Sequence, residues 1–190
     1  TLNISEEQLV DYSKAHNEPS WMTELRKKAL KLTETLEMPK PDKTKLRKWD
    51  FDTFKQHHTT GDSYHQLTDL PKSVKEIIDV ENSENLIIQH NNDLAYTQVS
   101  DQAKNDGVII EGLSEALVNH SDLVQKYFMT KAVNVDEHRL TALHTALVNG
   151  GIFVYVPKNT VVEHPIQYVV LHDDEQASFY NHVIIVTEES

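Results

Sequence analysis

Histidines and carboxylates gather near the end of the sequence, where their types could form a metal site. They are Glu163, His164, His172, Asp173, Asp174 and His182. Neutral imidazole and carboxylate groups together suit zinc, iron or manganese. If the short strand-like runs of this segment stack in register, the three histidines approach one another. The pattern therefore raises the hypothesis of metal-dependent chemistry in residues 163–182.

The spacing of the histidines does not support this hypothesis well. A cupin-like metal enzyme requires an H-x-H pair with a following glutamate, and the sequence contains no H-x-H and no H-E-x-x-H. His138 and His144 lie six residues apart and do not share a helix face. His164 precedes Pro165, which is typical of the start of a strand. We therefore assign no catalytic, cofactor-binding or metal-ligating residue to this chain. A cupin-like metal enzyme that uses residues 163–182 stays the alternative.

Other reaction classes leave no signature in the sequence. The chain has no cysteine, which excludes disulfides, thiolate nucleophiles and sulfur-ligated zinc or iron-sulfur sites within it. Its five glycines form no phosphate-binding loop, and no serine lies in a G-x-S-x-G elbow. The residues alone therefore indicate no reaction.

Composition and charge limit the class of partner. Of 190 residues, 38% are hydrophobic, and no stretch reaches the roughly 18 apolar residues of a membrane span. The net charge is −12, and the excess of acidic residues lies after residue 50. This charge disfavours nucleic acid and anionic membranes as partners. The acidic start does not resemble a targeting signal, so we expect a cytoplasmic protein. A basic run at residues 26–31 supports a further interpretation, a helical adaptor for an acidic partner.

Helical patterns dominate the start of the chain. Ser5 and Gln8 have the spacing of a capping box. Residues 17–36 repeat apolar side chains at helical spacing, with Trp21 on the apolar stripe and Asn17 available as a cap. We therefore predict two helices in this region, the second of them amphipathic.

Strand patterns follow, first as a hairpin and then as a series. Two apolar runs on either side of residues 91–93 predict a β-hairpin, because Asn and Asp tolerate the conformations of a tight turn. A helix pattern at residues 136–149 comes next, and Gly150 and Gly151 would end it with a left-handed cap. The predicted strands after it are residues 152–156, 160–164, 165–171 and 178–187. The first of these is apolar on both faces, which is typical of a strand covered on both sides.

Two stretches resemble a known family. Residues 149–167, NGGIFVYVPKNTVVEHPIQ, combine a Gly-Gly pair, an aromatic strand, a VPK turn and a strand ending in P-I-Q. Residues 17–30, NEPSWMTELRKKAL, contain an E-P-x-W start followed by an arginine and Ala-Leu. Both stretches resemble the SufB/SufD family of iron-sulfur cluster assembly proteins, and the form HTALVNGG is more similar to its SufD members.

The resemblance implies both a fold and a role. The fold would be α+β, with an N-terminal helical and mixed α/β region at residues 1–148 and the first coils of a right-handed parallel β-helix at residues 149–190. The role would be a non-catalytic scaffold subunit of the SUF complex, acting with a SufB-like partner and a SufC-like ABC-type ATPase. The positions that the family uses in cluster assembly lie mainly in later segments, so none is carried over and no cofactor is expected here.

The last strand-like run also predicts an interaction. An apolar pattern typical of a buried strand ends just before Ser190. We therefore expect a truncated protein whose β-helix end is exposed. Unpaired strand groups at residues 183–186 would then favour self-association.

Overall fold

The computed structural model describes residues 2–51 and 56–189, and residue 47 by its backbone alone. The sequence WDFDTFKQHHTTG indicates an irregular stretch at 49–61, and residues 52–55 of it lie outside the described residues. The chain forms two compact units, each made of two segments. Unit 1 comprises Thr1–Gln56 and Leu117–Val148, and unit 2 comprises His57–Ala116 and Asn149–Ser190. The boundary predicted between an N-terminal region at residues 1–148 and a β-helix domain at residues 149–190 stays a prediction.

The described part of the chain contains both helices and short strands. The helices are α1 (Glu6–Ala15), α2 (Ser20–Thr35), α3 (Lys72–Lys75), α4 (Asp101–Asn105), α5 (Leu113–Asn119), α6 (Ser121–Tyr127) and α7 (Arg139–Leu147). The strands are β1 (Asn85–His90), β2 (Asp93–Gln98), β3 (Ile109–Gly112), β4 (Gly150–Val156), β5 (Ile166–Leu171) and β6 (Asn181–Thr187). The predicted α+β class is confirmed, whereas two short mixed sheets do not by themselves establish a right-handed parallel β-helix. No helix among the described residues is both long and apolar enough to cross a membrane.

The first helix of unit 1 starts as its sequence predicts. The Gln8 backbone N–H donates to Ser5 Oγ at 3.2 Å, and the Ser5 N–H donates to Gln8 Oε1 at 2.8 Å, which completes the capping box. Asn17, by contrast, does not cap α2, because Pro19 occupies that position. Asn17 has a φ of 52° just after α1 ends. The predicted cap is therefore wrong, since Asn17 provides the left-handed turn between the two helices.

Helix α2 buries most deeply a stripe that shares only Ala29 with the predicted one, which was Trp21, Leu25, Ala29, Leu32 and Leu36. The buried side chains are Met22, Arg26, Ala29 and Thr33. Trp21 is half-buried, and its indole N–H donates to Ser121 Oγ at 2.9 Å. The helix itself is confirmed, but its buried face is rotated by about one residue, so that a charged arginine lies inside.

The end of α7 corrects the prediction of a glycine cap. The helix ends at Leu147 and its C-cap is Val148, which is not left-handed. Gly150 and Gly151 are instead the first residues of β4. The predicted cap is wrong because the last carbonyls of this helix are bound by an arginine side chain of α2, as described below.

Unit 2 contains two three-stranded sheets. Sheet A has the order β2-β1-β5, and sheet B has the order β3-β4-β6. The predicted hairpin is confirmed: β1 and β2 are antiparallel, with Asn91 at a φ of 53° in the turn. In sheet A, β5 is parallel to β1, and in sheet B, β6 is parallel to β4.

The strand predicted at residues 160–164 is wrong. Val161 is 74% exposed, and its carbonyl accepts a hydrogen bond from Gln102 Nε2 at 2.8 Å. The Glu163 N–H donates to Gln102 Oε1 at 3.3 Å. One glutamine side chain thus binds the backbone groups that a neighbouring strand would otherwise bind.

Both faces of β1 are buried, which makes it the central element of unit 2. Leu86 and Ile88 pack against a cluster that contains Val74 of α3. Ile87 lies in a second cluster, together with Ile152 and Val154 of β4. The burial predicted on both sides of residues 152–156 is confirmed for Ile152, Phe153 and Val154, whereas Tyr155 and Val156 are half-buried.

Candidate functional site

Two of the histidines proposed as metal ligands have structural neighbours. His164 Nδ1 lies 3.6 Å from Glu84 Oε2. The ring of His172 packs edge-on against Phe179, with 5.2 Å between the ring centroids. Neither contact includes a second histidine: His164 lies beside a carboxylate, and His172 packs on an aromatic ring.

The remaining proposed ligands bind other parts of unit 2. Asp173 accepts from His90 Nε2 at 3.0 Å and from Asn91 Nδ2 at 3.1 Å, and these hydrogen bonds lower the pKa of its carboxyl. Asp174 uses its backbone N–H to bind Asn91 Oδ1 at 3.3 Å. Burial lowers the pKa of His182, which favours its neutral form.

These residues do not assemble into a metal centre. Over residues 2–51 and 56–189, no group of three or more His, Asp or Glu side chains could hold a metal ion. The prediction that residues 164, 172 and 182 converge is wrong, because it assumed a strand at 160–164 that does not form. The geometry gives no support to the cupin-like alternative.

A buried polar network joins the two sheets. Tyr168 Oη donates to Gln89 Oε1 at 2.6 Å, and Asn181 Nδ2 donates to Tyr168 Oη at 3.0 Å. Gln89 Nε2 in turn donates to the Asn91 carbonyl at 2.7 Å and to Asn181 Oδ1 at 3.2 Å. The Gly151 N–H donates to Gln89 Oε1 at 3.2 Å. The network therefore links β1 and β5 of sheet A to β4 and β6 of sheet B.

This network is suited to structure and not to proton transfer. Burial raises the pKa of Tyr168 far above its ordinary value, so its hydroxyl keeps its proton at neutral pH. Amide groups, which do not titrate, supply its partners. A network with satisfied donors and acceptors fixes the position of each strand relative to the others.

Strands β5 and β6 are edge strands of the two sheets in unit 2, and we call this pair of strands the open end. Each is the last strand of its sheet. Ile152 and Val154 of β4 are buried, yet their parallel partners Val183 and Ile185 are 52% and 67% exposed. Paired residues of parallel strands point to the same face. The apolar interior is thus uncovered at this end, which makes the open end the candidate interaction site.

The basic run at residues 26–31 does not form a continuous basic face. Arg26 is buried. Lys27 Nζ lies 3.1 Å from Glu24 Oε1 and 3.3 Å from Glu6 Oε1, and these carboxylates raise its pKa. Lys31 Nζ lies 3.7 Å from Glu6 Oε2. Neighbouring glutamates therefore offset much of the charge on which the adaptor interpretation depends.

Comparison with known proteins decides the family. The family description "SufBD protein N-terminal region" matches residues 7–168. The chain belongs to the SufBD family. It is 46% identical over 189 residues to the iron-sulfur cluster assembly protein SufD of Bacillus subtilis, which covers 99% of this chain and 43% of the relative. The predicted family is thus confirmed.

More distant SufBD relatives give the same result. The chain is 29% identical over 198 residues to a SufBD family protein of Pyrococcus horikoshii, covering 99% of this chain and 44% of the relative. A SufBD family protein of Mycobacterium tuberculosis strain H37Rv is also 29% identical, and the match covers 98% of this chain and 23% of the relative. The chain spans less than half the length of these relatives.

The SufBD match includes a buried ion pair that sequence reasoning missed. Arg26 Nε and Nη2 donate to the two carboxylate oxygens of Glu18, at 2.8 and 2.6 Å. Arg26 also donates to the carbonyls of Ala146 at 2.9 Å and Val148 at 2.7 Å, at the end of α7. The side chains of Arg26 and Glu18 are 1% and 6% exposed. The arginine therefore replaces the cap that a helix end requires.

A sequence signal for this pair existed. Glu18 and Arg26 both lie in the stretch NEPSWMTELRKKAL, which resembles the SufBD family. The signal was incomplete because Ala146 and Val148 lie far along the chain. No comparable pattern marks Gln89, whose role depends on the pairing of four strands.

Proposed function

We propose that this chain is the N-terminal part of a SufD-like scaffold subunit in iron-sulfur cluster assembly. The observation that carries the proposal is 46% identity, across 99% of the chain, to the SufD protein of Bacillus subtilis. The subunit is non-catalytic, and nascent clusters are cargo of the complex. Residues 1–190 contain no cysteine, so no thiolate in this part of the subunit holds a cluster.

The partners in this proposal are a SufB-like protein and a SufC-like ABC-type ATPase, in the cytoplasm. The absence of a glycine-rich phosphate loop supports the view that ATP is bound by a partner. The acidic charge of the chain disfavours nucleic acid and membranes as alternatives.

We further propose that β4, β5 and β6 begin a right-handed parallel β-helix. The chain passes from β4 in sheet B to β5 in sheet A and returns to sheet B as β6. Gly150 pairs with Asn181 and Val156 with Thr187, in unbroken register. Nearly all parallel crossovers are right-handed. The exposed Val183 and Ile185 support a further coil on this end, because stacking coils bury such residues.

The proposed role is tested by co-purification. The chain, extended to the full length of its Bacillus subtilis relative, is expressed with SufB-like and SufC-like proteins of one organism. We expect all three proteins to elute together, and we expect the chain without partners to hydrolyse no ATP. An unrelated protein with the same tag, expressed at the same level, is the control. Elution of a folded extended chain on its own would contradict the proposal.

Self-association through the open end is a separate proposal about residues 1–190. The strands β5 and β6 contain no Lys, Arg, Asp or Glu, and such charges are the ordinary protection of sheet edges. We expect a mass above that of the monomer in analytical ultracentrifugation, increasing with concentration. Replacing Val183 and Ile185 by lysine should restore the monomer, whereas Val161→Lys, at an exposed position outside the strands, should not. A monomer at every concentration would refute this proposal.

A further inference from the structure

A strap of residues 57–64 is bound along the β1–β2 hairpin and the loop that precedes β6. Its backbone contacts involve His57 with Ser178, Thr59 with Asn92, Thr60 with Asn91, Asp62 with His90, and Tyr64 with Ala95. At the start of the strap, His58 Nε2 also lies 2.7 Å from Asp93 Oδ1. Most of these contacts use uncharged groups, whereas the contact at His90 involves a group that can take up a proton.

The hydrogen bonds of His90 require its neutral form. The Asp62 backbone N–H donates to His90 Nδ1 at 2.9 Å, so Nδ1 must carry a lone pair. The proton is then on Nε2, which lies 3.0 Å from both carboxylate oxygens of Asp173. The His90 side chain is 7% exposed, so water cannot easily replace either partner.

Gly61 brings the strap unusually close to His90. A Cβ atom built on Gly61 would lie 2.3 Å from the His90 carbonyl oxygen and 2.6 Å from its Cβ. Backbone and ring therefore approach at a distance that only glycine permits. This closeness couples the position of the strap to the state of the imidazole.

The groups around His90 offer a second partner for a protonated ring. Tyr64 Oη lies 3.5 Å from Nδ1, and the two rings are stacked with centroids 6.5 Å apart. Burial, followed by the carboxylates of Asp62 and Asp173, raises the pKa of Tyr64, which keeps the phenol neutral. Asp93, opposite His90 on β2, faces His58 instead.

We propose that His90 is a proton-operated latch for the strap. In its neutral form, Nδ1 accepts from the Asp62 N–H and the strap is closed. Uptake of one proton at Nδ1 places two N–H groups face to face, which breaks this bond. Nδ1–H then donates to Tyr64 Oη, and Nε2–H stays on Asp173. The strap opens at residues 60–62, between His58, which stays bound to Asp93, and Tyr64, whose hydroxyl accepts from the protonated ring.

The latch is tested by hydrogen exchange at the Asp62 amide as the pH is lowered from about 8 to about 5. The rate is divided by that of the unfolded sequence at each pH. Because opening takes up one proton, the protection of this amide should fall by up to about tenfold per pH unit. Constant protection across the range would overturn the proposal.

Matched variants identify the histidine responsible. In His90→Asn, the amide Oδ1 takes the place of Nδ1 and cannot titrate, so protection at Asp62 should no longer depend on pH. His58→Asn and His65→Asn, on or beside the strap, should keep the wild-type dependence. Asp173→Asn removes a carboxylate that favours the protonated ring, and should move opening to lower pH. An unchanged pH dependence in His90→Asn would overturn the latch.

Discussion

Replacing Arg26 by methionine should lower the free energy of unfolding of unit 1 by about 3–5 kcal/mol, the cost of breaking a buried ion pair. Methionine matches the stem of arginine but lacks the guanidinium group, so the Glu18 carboxylate, which is 6% exposed, is left without its cation. It also leaves the carbonyls of Ala146 and Val148 without the arginine donors at the end of α7. The loss combines an uncompensated charge with an uncapped helix.

Urea denaturation followed by Trp21 fluorescence measures this loss, in a Trp49→Phe background that leaves a single tryptophan. Lys27→Met on the same helix is the matched control, and it should have a much smaller effect because exposed ion pairs contribute little. The double change Arg26→Met with Glu18→Gln should recover part of the loss, since no unpaired charge then remains. Equal effects of Arg26→Met and Lys27→Met would contradict a structural role for the buried pair.

Local signals predicted the individual elements of the fold. The capping box at Ser5 and Gln8 and the turn at Asn91 depend on neighbouring residues, and both were predicted from the sequence. The apolar run of β4 also predicted burial on both faces. Such features depend on a few adjacent side chains, which a single sequence contains in full.

Long-range hydrogen bonds explain where prediction failed. The interior position of Arg26 could not be predicted from its helix, because its carbonyl partners lie about 120 residues later. The adaptor interpretation treated residues 26–31 as an exposed basic face, and it therefore placed Arg26 on the surface. The glycine cap predicted for α7 failed for the same reason, since the arginine satisfies the helix end.

The candidate site was predicted only in part. The sequence identified the last strand as an exposed end, and Val183 and Ile185 are indeed exposed. It could not predict the network of Gln89, Tyr168 and Asn181, because sheet pairing alone brings these side chains together. The histidines lie close together in the sequence but not in the structure, because His172 follows β5 of sheet A whereas His182 lies in β6 of sheet B.

Replacing Gly151 by alanine should destabilise unit 2 by at least about 3 kcal/mol, the upper range for a strained backbone position. Gly151 has a φ of +130°, where side chains are rarely tolerated, and an added Cβ would lie 1.9 Å from the His182 carbonyl oxygen. The backbone of β6 must then move away from β4. Because Gly151 also donates to Gln89, the shift disturbs the polar network as well. Unfolding in urea and hydrogen exchange of the β6 amides measure the two effects.

Gly107→Ala separates backbone strain from the clash between strands. Gly107 also has a positive φ, of +75°, but a Cβ there would meet only Pro157 Cγ, at an ordinary 3.6 Å. Its cost should be about 1–2 kcal/mol, the penalty for a left-handed L-residue. Fast exchange of β6 amides should therefore appear in Gly151→Ala and not in Gly107→Ala. If both variants lose the same stability and keep β6 protected, then close packing of Gly151 against His182 does not hold β6 on its sheet.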